Sequence, residues 1–463
     1  MKRKIAAVLC AVLSLSMLAG CGAKTGSKSG EGENIEIKIG YWPNPETEPE
    51  KYEVYKGYVE AFKEKRPDVT VIPDEFNYSN DTFMPAAAAG QLPNIYRVPF
   101  TEPKNIVEAG FARDITDIMK KRGYDTALNK DLLDIVTGND GKYYGVPYNG
   151  YMMGMWYNVN LFKQAGLVNA DGTLQYPTTY DEVIETAKII TEKTGQPGFA
   201  FQCKDAECGW NFMNIAWSYG VKFMEQGSDG KWKATFASPE CVKAMEYIRD
   251  LKWKHNVIPS NILLDRGTMY KLFATDQLGM SICAEDWLDS PVQKYNMSKD
   301  HIGTSPIPAG PAGRYAQTGG DAWMFSKETT DEQLEALFDW LEIVGNAPEM
   351  SDIAKTNVTN DIKAKVEKGK IILTPAFSVW NDEERKAATN DLYKEYINVD
   401  PTIHVNMLSD DVKLHAEEPQ QTQQLYRTVA SVIQEILTNE NADIAGLLQT
   451  AQENFQKDFL DKQ

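Results

Sequence analysis

Ile35, Ile37, Ile39 and Tyr41 alternate with Glu36, Lys38 and Gly40, the two-residue period of a strand with one buried face, and Trp42-Pro43-Asn44-Pro45 ends it. From about 50 to 65 the apolar positions move to helical spacing at Tyr55, Tyr58, Val59 and Phe62. Pro67 stops that pattern, and Val69 to Ile72 reads as a second strand. A helix over 81–89 and a strand over 94–98 extend the alternation, which predicts a parallel sheet flanked by helices. Later helices are announced by their caps. Thr179 and Glu182, and again Thr330 and Gln333, have capping-box spacing, while Ser238-Pro239 pairs a good N-cap with a good first helical residue. Amphipathic stretches at Leu425 to Leu437 and Ile444 to Phe455 make the C-terminal end helical, and no internal repeat is visible.

The opening residues follow a different logic. Lys2, Arg3 and Lys4 precede an apolar run from Ile5 to Ala19, shorter than the roughly 18 to 20 apolar residues that span a bilayer, followed by small residues. Residues 1–20 therefore read as a signal peptide. Leu18-Ala19-Gly20-Cys21 resembles the lipobox of bacterial lipoproteins, which implies that Cys21 receives a diacylglycerol and becomes the new N-terminus; an ordinary cleavage with Cys21 as a bystander is the alternative. Two acyl chains anchor stably where one binds marginally. Residues 21–34, rich in Gly, Ser, Lys and Glu, form the lipidated end and a flexible tether. The expected location is the extracellular face of a bacterial cell membrane.

Composition narrows the partners. The 463 residues carry 48 Lys plus Arg against 66 Asp plus Glu, a formal charge of −18, and loss of residues 1–20 removes three more cations. Nucleic acid is a poor partner for such a chain, and attachment to an anionic membrane must come from lipid. Four cysteines remain in the mature chain. Cys203 and Cys208 allow a short disulfide loop, with free buried thiols as the alternative, and their spacing is not that of a zinc ribbon. No metal site or cofactor is expected, and His255, His301, His404 and His415 show no ligand spacing.

Asp140-Gly141-Lys142-Tyr143-Tyr144-Gly145-Val146-Pro147-Tyr148, then Trp156-Tyr157-Asn158 and Leu161-Phe162-Lys163-Gln164-Ala165-Gly166-Leu167, resemble the extracellular solute-binding lipoproteins of bacterial ABC importers. The resemblance is to the large sugar-binding family that includes maltodextrin-binding proteins. Ala89-Gly90-Gln91-Leu92-Pro93-Asn94, Tyr176-Pro177-Thr178-Thr179-Tyr180-Asp181-Glu182, Pro306-Ile307-Pro308 and Gly319-Gly320-Asp321-Ala322-Trp323 support it; Pro93-Asn94 stands where the family usually has Pro-Asp. It implies an α/β fold of two lobes, each a mostly parallel sheet flanked by helices, with the ligand cleft between them. Residues 35–148 with about 323–375 would form the N-terminal lobe, and 149–322 with about 376–463 the C-terminal lobe. Crossings are expected near Tyr148 to Tyr151, near Gly319 to Trp323, and between 375 and 400. Pro147 and Gly319-Gly320 suit hinges or simple turns.

Sugars present flat C–H faces beside many hydroxyls, so a site needs stacking rings together with carboxylates and amides. Ten Trp and 22 Tyr make this feasible. On a helix over 209–220, Trp210, Asn214 and Trp217 share the face opposite Phe212, Ile215, Ala216 and Tyr219, so they form either a sugar platform or packing beneath another helix. Leu278, Met280 and Ile282 alternate as a buried strand, and Glu285-Asp286-Trp287 follows at its end, where α/β sheets bind ligands. Trp287 is the leading stacking candidate. The resemblance adds Tyr151 at the first crossing and Asp321 and Trp323 at the second. First-lobe strand ends add Trp42, Asn77 and Tyr78, with Phe100 and Glu102 behind them, and Trp380 comes from the late region where the resemblance is weaker.

With Arg97 the one cation placed near this lining, a neutral mono- or oligosaccharide is the expected ligand, and a cationic solute such as a polyamine the alternative. A glycoside hydrolase is disfavoured: neighbouring carboxylates such as Glu285 and Asp286 on a strand point to opposite faces and cannot flank one bond. No nucleophile elbow, zinc-protease motif or phosphate loop is present. The expected protein is a non-enzymatic monomer that captures a sugar by lobe closure and passes it to the transmembrane subunits of an importer; a surface adhesin or sensor is a third class.

Overall fold

Ile37 and Ile39, the inward residues of the first alternating stretch, are fully buried, and their strand does what its period requires. The computed structural model describes residues 34–79 and 82–462, so the leader, Cys21 and the tether lie outside the described residues. The strands are β1 (Ile35–Ile39), β2 (Val69–Pro73), β3 (Ile95–Pro99), β4 (Gly145–Asn158), β5 (Phe199–Ala200), β6 (Met224–Gln226), β7 (Trp232–Ala234), β8 (Met280–Ala284), β9 (Ile302–Ser305), β10 (Arg314–Phe325) and β11 (Val412–Ala416). The main sheet runs β2-β1-β3-β10-β4-β8-β5, with β11 also on β10 and β9 also on β4, while β6 and β7 form a separate hairpin.

The outer pairs β1–β2, β1–β3, β5–β8 and β10–β11 are parallel, as the helix-strand alternation predicts. The inner pairs made by β4 and β10 are antiparallel. These two long strands serve both halves of the sheet. The end of β10 from Asp321 pairs with β3, and its start up to Thr318 pairs with β11. In the same way β4 pairs with β10 up to Met152 and with β8 from Met153.

Each half has its own core. Ile37, Phe62, Val146, Trp323, Leu337 and Trp340 belong to the first, and Met152, Trp156, Phe212, Ile282 and Tyr426 to the second. Val146 and Met152 lie on one strand, so β4 crosses between the cores within a few residues. Pro147 and Gly319-Gly320 therefore sit inside a continuous ladder and not in turns. A bulge at Asp321/Ala322 marks the crossing on β10. Further on, Ile371 and Ala376 pack in the second core while Val379 and Trp380 pack in the first. That passage puts Ile371, and again Val379 and Trp380, on the opposite side from the one the sequence suggests.

The caps work as their residue types require. The Thr330–Gln333 box closes in both directions, with Gln333 N donating to Thr330 Oγ1 at 3.3 Å and Thr330 N to Gln333 Oε1 at 3.0 Å. Thr179 accepts from Glu182 N, but the Glu182 carboxylate turns to Thr178 N at 2.7 Å, so that box is displaced by one residue. Among the described residues no helix is long and apolar enough to cross a membrane.

The helix Asp205–Ser218 is buried on every side except at Trp210 and its first residues, because the helix Thr422–Thr438 covers the face turned away from the sheet. Gly209 permits this packing: a methyl group there would lie 2.1 Å from Tyr426 O, which is backbone and cannot swing aside. Gly209→Ala is expected to lower unfolding stability by about 2 kcal/mol or more in urea titration.

Candidate functional site

β8 leaves the second core through Ala284 and turns at once into the 3-10 turn Glu285–Trp287, which delivers Trp287 half-buried at the strand end. Its ring stacks on Trp210, centroids 5.5 Å apart and planes 29° from parallel. Tyr151, from β4, lies 6.3 Å from Trp210 on the other side. Three aromatic residues from three elements thus form one half-buried cluster. Trp210 is oriented by a buried amide on β10: with the Gln317 oxygen facing the indole, it accepts from Trp210 Nε1 at 2.7 Å and its nitrogen donates to Trp210 O at 2.9 Å.

The cluster carries charge of both signs. Arg266, opening the helix Arg266–Ala274, places its guanidinium 3.9 Å over the Trp287 ring and reaches Glu207 at 3.1 Å. This cation escaped the sequence reading because its helix begins some twenty residues upstream of Trp287. At the turn the surrounding protein crowds the Asp286 carboxyl and raises it, while its own backbone N–H and Arg266 oppose the rise. Glu285 instead turns inward, accepting from Ala376 N at 2.8 Å and Phe377 N at 3.2 Å, and burial pushes its carboxyl up to about 7.

Beside the cluster a cavity of about 1160 Å³ opens between the two halves. Tyr78, Thr101, Glu102 and Asn105 line it from the first half, and Trp232, Glu417, Pro419–Gln421 and the first turn of the helix Thr422–Thr438 from the second. Gln420 Nε2 donates to Asn105 Oδ1 at 3.1 Å across the gap. Glu417 joins cavity and cluster. Its carboxylate accepts from Tyr426 OH at 2.8 Å and lies beside Tyr151 and Trp210, and burial raises it. Tyr78 bonds Glu102, and burial pushes its phenol upward. The amide-rich stretch 419–424 lacked the aromatic signature used to search the sequence.

Several expected contacts lie elsewhere. Trp217 is buried, its indole donating to Glu418 Oε1 at 3.0 Å and its ring stacked 3.8 Å from His415. Asn214 is fully buried and accepts from Gln317 N at 2.8 Å. The Trp210-Asn214-Trp217 platform is therefore not formed, because the covering helix buries the face on which the last two lie. Trp42 packs in the first core, stacked 5.8 Å from Trp340. Trp323 is 1% exposed in that core, and Trp380 and Phe100 are buried there too. Asn77 is exposed and bonds back to Glu75 O. Asp321 pairs with Arg97 at 2.5 Å, and that guanidinium lies between the rings of Tyr41 and Tyr148 at 3.7 and 4.2 Å. The four cysteines of the described residues are free and buried, so Cys203 and Cys208 stand unbridged. Among the described residues no group of His, Cys, Asp and Glu is arranged to hold a metal ion.

A cleft edged by two cores and a stacking cluster at a strand end is the arrangement of a solute receptor, and residues 46–342 match the model of the bacterial extracellular solute-binding proteins. The chain belongs to that family. A binding protein of Brucella abortus is 26% identical over 245 residues, 51% of this chain and 55% of its own, so the chain spans about half the length of that curated relative. The maltooligosaccharide ABC transporter solute-binding lipoprotein of Streptococcus pneumoniae is 23% identical over 88% of this chain and 89% of its own. Among solved structures, the cyclic alpha-maltosyl-1,6-maltose binding protein of Arthrobacter globiformis superposes with a TM-score of 0.61 at 21% identity, covering 90% of this chain and 97% of its own. These neighbours share the two-lobed fold.

Two carboxyls of this solute-binding protein are raised by burial into the neutral range. Glu285 and Glu418, both held mainly by burial at about 7, take up protons in the folded chain well above the ordinary 4.5 of the unfolded one. The stability they contribute is fully present below that ordinary value and is lost as pH rises through about 7. Burial lowers His404 to about 4 and lowers His415 as well, and these destabilise the fold as pH falls through the ordinary 6.5. The carboxyl share is therefore read by substitution: in Glu418→Gln, neutral throughout, the melting temperature at about pH 5.5 minus that at about pH 8 is expected to be smaller than in the parent. An unchanged difference would show that Glu418 does not titrate in this range.

Proposed function

We propose that the protein captures a carbohydrate, a mono- or oligosaccharide, between its lobes and delivers it to the membrane subunits of an ABC importer. The observation that carries this reading is the Tyr151–Trp210–Trp287 cluster opening beside a cavity lined by carboxylates and amides. Rings supply stacking for C–H faces, while Glu102, Asn105, Glu417 and the glutamines offer acceptors and donors for hydroxyls. Charge favours a neutral guest, since Arg97 and Arg266 are each matched by a carboxylate and hold no surplus for an anion. The named cargo of the relatives, maltooligosaccharide and a cyclic maltosyl-maltose, agrees with this.

Capture is non-enzymatic on this reading, because Glu285 is occupied by two backbone amides and Asp286 follows it in the same short turn, so the pair does not stand on opposite sides of a bond to be cut. We take residues 1–20 as a leader, Cys21 as the lipid attachment point and the protein as a monomer tethered to the outer face of the membrane. The lobes are residues 35–148 with about 323–375, and 149–322 with about 376–463, except that Ile371 packs in the second core and Val379 and Trp380 in the first. A ligand that prefers the closed arrangement shifts the population toward it, and the closed body docks on the permease.

A thermal-shift screen of neutral sugars, uronates and spermidine tests the substrate class, since a ligand of the native state raises the melting temperature. A shift with spermidine alone would replace the carbohydrate reading with a polyamine one. For the best sugar, Trp287→Ala is expected to weaken binding by about 1–3 kcal/mol by titration calorimetry with the fold intact. Unchanged affinity would remove Trp287 from the site.

A further inference from the structure

Residues 371–379 form no helix and no ladder, yet they run from Ile371 and Ala376 in the second core to Val379 in the first. Buried backbone amides in such a stretch need partners from elsewhere. Two carboxylates provide them. Asp289 Oδ1 accepts from Ile371 N at 2.7 Å, and the two oxygens of Glu285 accept separately from Ala376 N and Phe377 N. Glu285 and Trp287 lie in the same three-residue turn, so the carboxylate that grips the segment and the ring of the aromatic cluster share one short piece of backbone.

The gripped residue reaches the other two crossings as well. Phe377 packs against both cores, and a methyl group on Gly150 would lie 2.6 Å from Phe377 Cζ and 2.5 Å from Gly319 O. Gly150 is on β4 and Gly319 on β10. All three passages between the lobes therefore meet at one point, and the third is held there through Glu285. Among the described residues no Lys or Arg forms an ion pair with Glu285, and the neighbouring Asp286 carboxylate repels it. Burying a carboxylate without a cation is costly, and two backbone donors are what this one gains.

We propose that Glu285 is a positioning residue that couples the Trp210–Trp287 pair to the third crossing, so that a guest on the rings and the setting of Ala376–Phe377 change together. The ligand half of this proposal rests on the carbohydrate reading; the contact half does not. Coupling of this kind is reciprocal: whatever fixes the turn protects the segment, and loosening the segment weakens binding.

Amide hydrogen exchange on the full chain, followed by mass spectrometry and with maltotriose as the probe sugar, tests both halves. In Glu285→Gln, where one backbone donor meets an amide N–H, exchange over 374–379 is expected to quicken about tenfold or more, while Ile371, held by Asp289, keeps its rate. Maltotriose should slow exchange over 374–379 in the parent and fail to do so in the variant. Parent-like exchange over 374–379 in the variant, or equal protection by the sugar in both proteins, overturns the proposal. Should the glutamine variant not fold, Glu285→Asp keeps the charge but withdraws the carboxylate by one methylene and is expected to give the same pattern. If maltotriose does not bind the parent, the choice of sugar is what has failed. The coupling then stands or falls on the sugar-free exchange and on acrylamide quenching of tryptophan emission, which should increase in the variant.

Discussion

Two strands belonging to both lobes at once impose the constraint on which the rest of the molecule depends. Because β4 and β10 run unbroken from one core to the other and pair with each other across the middle, the lobes share a hydrogen-bonded ladder as well as loops. Backbone groups in such a ladder are satisfied wherever the lobes stand, so motion must be taken up by twist and bulge and not by opening the pairs. Asp321, beside the bulge, is accordingly used for a structural pair with Arg97. The third passage has no ladder and draws on side-chain carboxylates for the same purpose, which makes it the passage whose partners side-chain chemistry can alter.

The site is assembled at the edge of this constraint. Each aromatic residue of the cluster is placed by a different element: Tyr151 by the crossing strand, Trp210 by the start of a buried helix, and Trp287 by a turn at the end of β8. Their half-burial follows from position. Residues one or two turns further along the helix, Asn214 and Trp217, fall under the helix Thr422–Thr438 and are fixed by buried hydrogen bonds. Arg97 and Arg266 are paired within the protein, and carboxylates outnumber cations around the cavity, so cluster and cavity offer surface and hydrogen-bond acceptors and no cationic field. That is the environment a polyhydroxylated neutral guest requires.

Much of the architecture was readable before any coordinates. Alternation at Ile35 to Tyr41, helical spacing at Tyr55 to Phe62, and the caps at Thr179, Ser238 and Thr330 correspond to elements that form within a residue or two of where the pattern puts them. Local chemistry decides such features: a Thr at an N-cap bonds its own helix whatever lies beyond. Trp287 also stands at the end of the strand whose own alternation marks it. Trp42, Trp217 and Trp323 went the other way. A tryptophan looks the same in sequence whether it lines a cleft or fills a core, and burial depends on which distant element covers it.

The order of residues thus settled the type and sequence of the elements, the family, and the strand end where Trp287 sits, since each depends on neighbours within a few positions. Only the tertiary structure decided which aromatic residues reach the cleft, that Arg266 joins them, that Cys203 and Cys208 stay unbridged, and that Glu285 faces the backbone of residues 376 and 377. Those outcomes turn on contacts between segments tens to hundreds of residues apart, and no local pattern of polarity encodes a partner at that distance.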